Sequence, residues 1–154
     1  MFKIAADRTL VESATVNLNA DLHHVFKFVA TDFCENYPKW TPDIVTLKRV
    51  SEGPLAVGSR IRVVRREGGE IVENELKVTE IVTDRRFSLE SLTDPFEMTY
   101  QFEACESPPM TILTFTFQLK KIEMVMRPFT KLIRAALRDG AKRSVENVRN
   151  LVCA

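Results

Sequence analysis

Cysteine is scarce in this sequence. Cys34, Cys105 and Cys153 form an odd, widely scattered set, which suits neither a disulfide framework nor a metal site and is expected to stay reduced in a cytoplasmic setting. No run of about 18 apolar residues occurs, so no membrane-spanning helix is expected. From Met1 to Asp7 there is no apolar stretch of leader length before Asp7 and Arg8 interrupt it, so no signal peptide is expected either. An excess of one charge sign is also missing: 22 Lys+Arg face 21 Asp+Glu, a net +1. Proteins that live on phosphate contacts show a clearer basic surplus, so nucleic acid is not the expected partner.

Chemistry-bearing motifs are equally thin. The two histidines, His23 and His24, are adjacent; helical neighbours point about 100° apart and do not readily share one metal, so both are expected as exposed first-turn residues. No Gly-x-Ser-x-Gly, His-Glu-x-x-His, Walker or strand-following Gly-x-Gly-x-x-Gly pattern is present. Glu73 and Glu75 share a strand face with Lys77 and are expected to be solvated. No metal and no cofactor are implied.

What is present is a soluble-protein composition, 45% hydrophobic and 28% charged over 154 residues, enough for a single domain covering 1–154 with a real core. Thr9–Asn19 alternates, with Ala14, Val16 and Leu18 on one face, as a half-buried strand does. Asn19-Ala20-Asp21 can cap a helix that carries Leu22, Val25, Phe26 and Val29 and stops near Thr31. Asp32 to Trp40 reads as a second short helical piece, limited by Pro38 and Pro42.

Six further alternating segments follow: Ile44–Val50, Ser59–Arg66, Glu70–Val82, Arg86–Leu92, Phe96–Glu106 and Met110–Lys120. Gly53-Pro54, Gly68-Gly69, Thr83-Asp84-Arg85 and Ser107-Pro108-Pro109 separate them or turn the chain between them. Such short links imply an antiparallel meander. The last segment keeps one apolar helical face for over twenty residues, through Phe129, Leu132, Ile133, Ala136, Leu137, Gly140, Ala141, Ser144, Val145, Val148, Leu151 and Val152, with Pro128 in its first turn. Its small middle residues are expected to leave space beneath the helix. The opposite face, with Lys131, Arg134, Arg138, Lys142, Arg143 and Arg149, is expected to be solvated.

Local text carries a family likeness. Val25-Phe26-Lys27-Phe28-Val29-Ala30 precedes an aromatic-proline corner, Tyr37-Pro38-Lys39-Trp40-Thr41-Pro42-Asp43. Leu55-Ala56-Val57-Gly58-Ser59-Arg60 leads into a strand, and Val78-Thr79-Glu80-Ile81-Val82 precedes Arg85-Arg86-Phe87. Together with the element order, these segments resemble the START-like superfamily, particularly its polyketide cyclase/dehydrase and lipid-transport members, from about Val11 to Leu151. The resemblance implies an α+β helix-grip fold: a curved seven-stranded antiparallel sheet wrapped around a long C-terminal helix, with two short helices after the first strand.

It also implies a small hydrophobic molecule, lipid- or polyketide-like, held between sheet and helix. The alternative is a cofactor-independent cyclase, aromatase or dehydratase. Strand and helix parity nominate Trp40, Ile61, Val63, Asn74, Leu76, Phe87, Leu89, Met98, Tyr100, Phe115, Phe129, Ile133, Ala136, Leu137 and Gly140 as ligand-binding. Ser91 and Arg65 join Asn74 and Tyr100 as polar groups on that wall. No catalytic residue is assigned outright; Arg65 as an anchor for an enolate and Tyr100 as a proton donor are the candidates under the enzymatic alternative. Carrier or enzyme, and monomer or homodimer, stay open at this point.

Overall fold

The structure, a computed structural model, describes residues 9–106 and 109–153. The expectations for Met1 to Arg8, and the Ser107-Pro108 part of one turn, lie outside these residues. Seven antiparallel strands, β1 (Leu10–Leu18), β2 (Ile44–Arg49), β3 (Arg60–Glu67), β4 (Glu70–Val82), β5 (Arg86–Ser91), β6 (Phe96–Glu106) and β7 (Pro109–Leu119), form one sheet in the order β1-β7-β6-β5-β4-β3-β2. Consecutive strands from β2 to β7 pair directly, and β1 closes the series by pairing with β7.

The turn chemistry explains the meander. Between β3 and β4, Gly68 and Gly69 both take positive φ (59° and 84°), as a two-residue turn linking twisted strands requires. Pro109 lies opposite Glu106 as the first residue of β7, a place where its missing N–H is tolerated.

Parity is preserved along most strands and broken on one. Val78 pairs with Leu89, but Glu80 pairs with Ser88, so a bulge at Thr79 resets the alternation. In consequence Val82, which alternation puts in the inward row with Leu76 and Val78, is 41% exposed, and Ile81 packs on the core instead. Glu80 turns to the convex face, where Ser88 and Arg86 each donate to it at 3.4 Å.

The single helix expected to stop near Thr31 is α1 (Leu22–Phe26) continued by a π-helical turn, Lys27–Thr31. Asp21 caps α1 by accepting the His24 backbone N–H at 3.3 Å. Helix α2 (Phe33–Trp40) contains Pro38 and ends two residues after it. Buried Asn36 donates to the Phe28 carbonyl at 2.9 Å, satisfying an acceptor in the π-helical turn. Phe33, Tyr37 and Trp40 of α2 make an aromatic cluster with Phe87 and Tyr100 of the sheet.

A 3-10 turn, Met124–Phe129, precedes the long helix α3 (Thr130–Val152), so Pro128 belongs to that turn and not to the helix. Helix α3 packs against β1 and β7. Only its C-terminal half buries its face, through Ala141, Val145 and Val148; Phe129 is 50%, Leu132 71% and Leu151 40% exposed. The apolar face that runs for over twenty residues in the sequence is therefore buried over only about half of that length. The sheet meets the second half of the helix directly, whereas the first half spans an opening.

Two residues of the helix's expected solvated face are engaged. Glu12 sits in the inward row of β1, and Arg134 and Arg138, one turn apart on α3, bind its two oxygens at 2.7 and 3.1 Å. At the other end, the Asn147 amide donates to the Trp40 carbonyl at 3.1 Å and joins α3 to α2.

Candidate functional site

Beneath the N-terminal half of α3 lies a cleft of about 1150 Å³. Its floor is the inward rows of β6 and β7. The antiparallel register sets Tyr100 opposite Phe115 and Phe96 opposite Leu119, and the rings respond: Phe96 stacks on Phe117 at 5.1 Å, and Tyr100 meets Phe115 at 4.7 Å. Ile133, Ala136, Leu137, Gly140, Ala141 and Ser144 form the roof. The small residues are what keep the volume open. A Cβ built on Gly140 would meet nothing within 4 Å.

One end of the cleft is polar and internally satisfied. Arg65 donates through Nε to the Asn74 side-chain oxygen at 3.0 Å, and its Nη1 meets Glu67 at 2.8 Å. The Asn74 amide donates in turn to Asp94 at 2.6 Å and to Thr93 at 3.1 Å, while the Ser91 hydroxyl accepts the Asp94 backbone N–H at 2.9 Å. Asn74 is only 2% exposed; leaving such a group unpaired would cost about 1–3 kcal/mol, and the chain of partners avoids that. Of the polar residues that alternation placed on this wall, Arg65 and Asn74 thus bond to each other, and Ser91 is tied in through Thr93 and Asp94.

The two phenols lining the cleft are held in their neutral form. Burial pushes Tyr100 well above its ordinary value, and neighbouring Tyr37 adds to the effect. Burial likewise raises Tyr37, with Arg65 pulling the other way; its hydroxyl donates to the Met98 sulfur at 3.7 Å.

Of the nominated residues, Val63, Asn74, Leu76, Met98, Tyr100, Phe115, Ile133, Ala136, Leu137 and Gly140 line the cleft, as do Arg65 and Ser91. Five others do not. Ile61, Phe87 and Leu89 have no exposure at all and belong to the solid core. Trp40 is 1% exposed, and its Nε1 has no hydrogen-bond partner among the described residues; it plugs the end of the shell beneath α2. Phe129 is half exposed to solvent and stands outside the cleft wall. Strand parity identifies an inward side chain but not whether a short helix already covers it.

Sequence reasoning passed over Tyr37, Phe96 and Asp94, and it placed Phe117 in the inward row of its strand with Leu113 and Phe115 without nominating it for the site. Phe96 is available from parity, in phase with Met98. Asp94 sits in the loop between β5 and β6, where no periodic signal exists.

A second depression, of about 630 Å³, lies on the convex face among Thr79, Glu80, Arg86, Ser88, Glu97, Thr99, Gln101 and Thr116. It has no apolar wall, and its Ser88 already bonds to Glu80 and Thr99. Among the described residues no three His, Cys, Asp or Glu side chains form a metal-holding group, and no helix is long and apolar enough to cross a membrane.

Comparison with known proteins adds a family and a fold. A family model described as polyketide cyclase / dehydrase and lipid transport matches residues 9–152. No curated protein sequence matches the chain. Among solved structures, Ara h 8.0201 superposes with a TM-score of 0.69 at 14% identity, over 94% of this chain and 97% of that one. TTHA0849 from Thermus thermophilus gives 0.67 at 17% identity, over 92% and 96%. The di-domain ARO/CYC BexL from the BE-7585A biosynthetic pathway gives 0.74 at 15% identity, over 95% of this chain and 50% of that one. Identities this low establish a shared fold.

Proposed function

The chain belongs to the polyketide cyclase / dehydrase and lipid transport family, and on that premise we propose that it binds a small hydrophobic molecule, lipid- or polyketide-like, in the cleft under α3. The observation that carries this reading is the open volume of about 1150 Å³ between an aromatic floor and a roof whose small residues Ala136, Gly140 and Ala141 leave it unfilled. Small-molecule sites are mostly apolar with a few converging polar groups, and the cleft has that composition. In it, Arg65 and Asn74 would meet the polar end of the ligand, with the stacked rings of β6 and β7 under its apolar body.

A second reading makes the same cleft catalytic, and is favoured by one observation: Arg65 and Tyr100 both line it. Against that role, Glu67 already balances Arg65, and burial holds the Tyr100 proton tightly. Both features suit a holding site better than a proton-transfer site.

The experiment is solvent extraction of the purified protein followed by native mass spectrometry and titration with an apolar fluorescent dye. A co-purified apolar molecule or dye uptake is expected. Gly140→Phe, placed where the structure has room, should lower dye affinity by about tenfold or more while the protein stays folded, because the ring would occupy the ligand's volume. Dye binding equal in the variant and the original would remove this reading. If turnover of an apolar carbonyl substrate is found and disappears in both Arg65→Ala and Tyr100→Phe, the catalytic reading replaces it.

A further inference from the structure

Next to the cleft mouth, the chain turns apolar side chains outward. Met124 is 74% exposed, Val125 72%, Leu132 71% and Phe129 50%. The 3-10 turn Met124–Phe129, followed at once by the first turn of α3, gathers them into one short stretch. Single exposed apolar residues are ordinary on a protein surface; a contiguous group marks contact with another apolar phase.

The same stretch is basic. Between Lys120 and Arg134 stand five basic residues (Lys120, Lys121, Arg127, Lys131 and Arg134) and one acidic residue, Glu123, whereas the whole chain carries only +1. Lys120 is committed to Glu90 and Glu97, and Arg134 to Glu12. That leaves Lys121, Lys131 and the half-buried Arg127 to face an external anion.

We infer that the segment Lys121–Leu132 is a docking site for an anionic lipid bilayer surface. Apolar side chains flanked by cations match a membrane interface: the acyl boundary takes the former and the anionic headgroups take the latter. A second copy of the chain matches poorly, since pairing the patch with itself would bring like charges together. Lys121 and Met126 also line the cleft, so a docked patch would set the cleft mouth at the lipid surface. The inference stands on the exposed patch and does not depend on what the cleft holds.

The test is co-sedimentation of the full chain with phosphatidylcholine vesicles, with and without phosphatidylserine. Binding to the phosphatidylserine vesicles is expected, weaker by roughly tenfold or more on the neutral ones, and falling as salt is raised. The double substitution Met124→Asp/Val125→Asp, and Leu132→Asp separately, should each lower binding about tenfold or more by charging the apolar patch. Lys131→Glu should weaken it by roughly fivefold or more. None of these four positions lines the cleft, and unchanged thermal midpoints in the variants would separate lost docking from lost folding. The inference is overturned if the original protein does not sediment with phosphatidylserine vesicles, or if Met124→Asp/Val125→Asp sediments as well as the original. It is overturned equally if ultracentrifugation shows a dimer that these substitutions dissociate, since the patch would then be a self-association surface.

Discussion

Glu12 shows how one side chain can tie the two layers together. It faces inward from β1 with its side chain 10% exposed, in a row otherwise made of Leu10, Ala14, Val16 and Leu18. A carboxylate in that row is tolerable only because α3 supplies two guanidinium groups to it. The hydrogen bond from Arg134 is the main reason its pKa lies below the ordinary 4.5; partial burial opposes this, and Arg138 assists. A depressed carboxyl pKa contributes stability that is present above its unfolded value and is lost as pH falls through the lower folded value. Glu12→Gln should therefore destabilise the protein at neutral pH and flatten the acid limb of its stability profile. Urea midpoints measured across that limb provide the check; parallel profiles for the two proteins would show that the clamp contributes nothing.

Helix α3 is uniform as a sequence pattern and divided as a structure. Its second half buries Ala141, Val145 and Val148 against the sheet, whereas its first half leaves Leu132 in solvent and covers the cleft. Deleting buried methyl groups costs transfer free energy plus that of the cavity left behind. Val145→Ala should then cost about 2 kcal/mol, and Leu132→Ala should stay within about 0.5 kcal/mol. Denaturant unfolding of the two variants tests this directly, and comparable losses would mean that the first half is packed after all. Amide exchange should separate the halves too, with faster opening toward Thr130.

Over the whole molecule, the sheet is continuous from β1 to β2 and no strand among the described residues stands apart. Helix α3 is fastened to the sheet by the Glu12 clamp and to α2 by the Asn147–Trp40 bond. Layers joined at both ends should melt together. Calorimetry is expected to give a single transition with matching calorimetric and van't Hoff enthalpies. A separate low-temperature transition for α3 would show that the helix is held less firmly than its contacts indicate.

Short-range pattern was sufficient for the seven strands, the small helices and the amphipathic C-terminal helix, because alternation, turn residues and helical spacing are local properties of the chain. It also brought ten of the fifteen nominated ligand residues to the cleft wall. Tertiary structure alone decided the rest. The bulge at Thr79 moved Val82 outward, α2 covered Phe87 and placed Trp40 as a plug, and the first half of α3 was left spanning an opening. Glu12 met Arg134 and Arg138 across separations of 122 and 126 residues. A side chain's direction follows from its own few neighbours in sequence, but whether it meets protein, ligand or water depends on which distant element arrives to cover it.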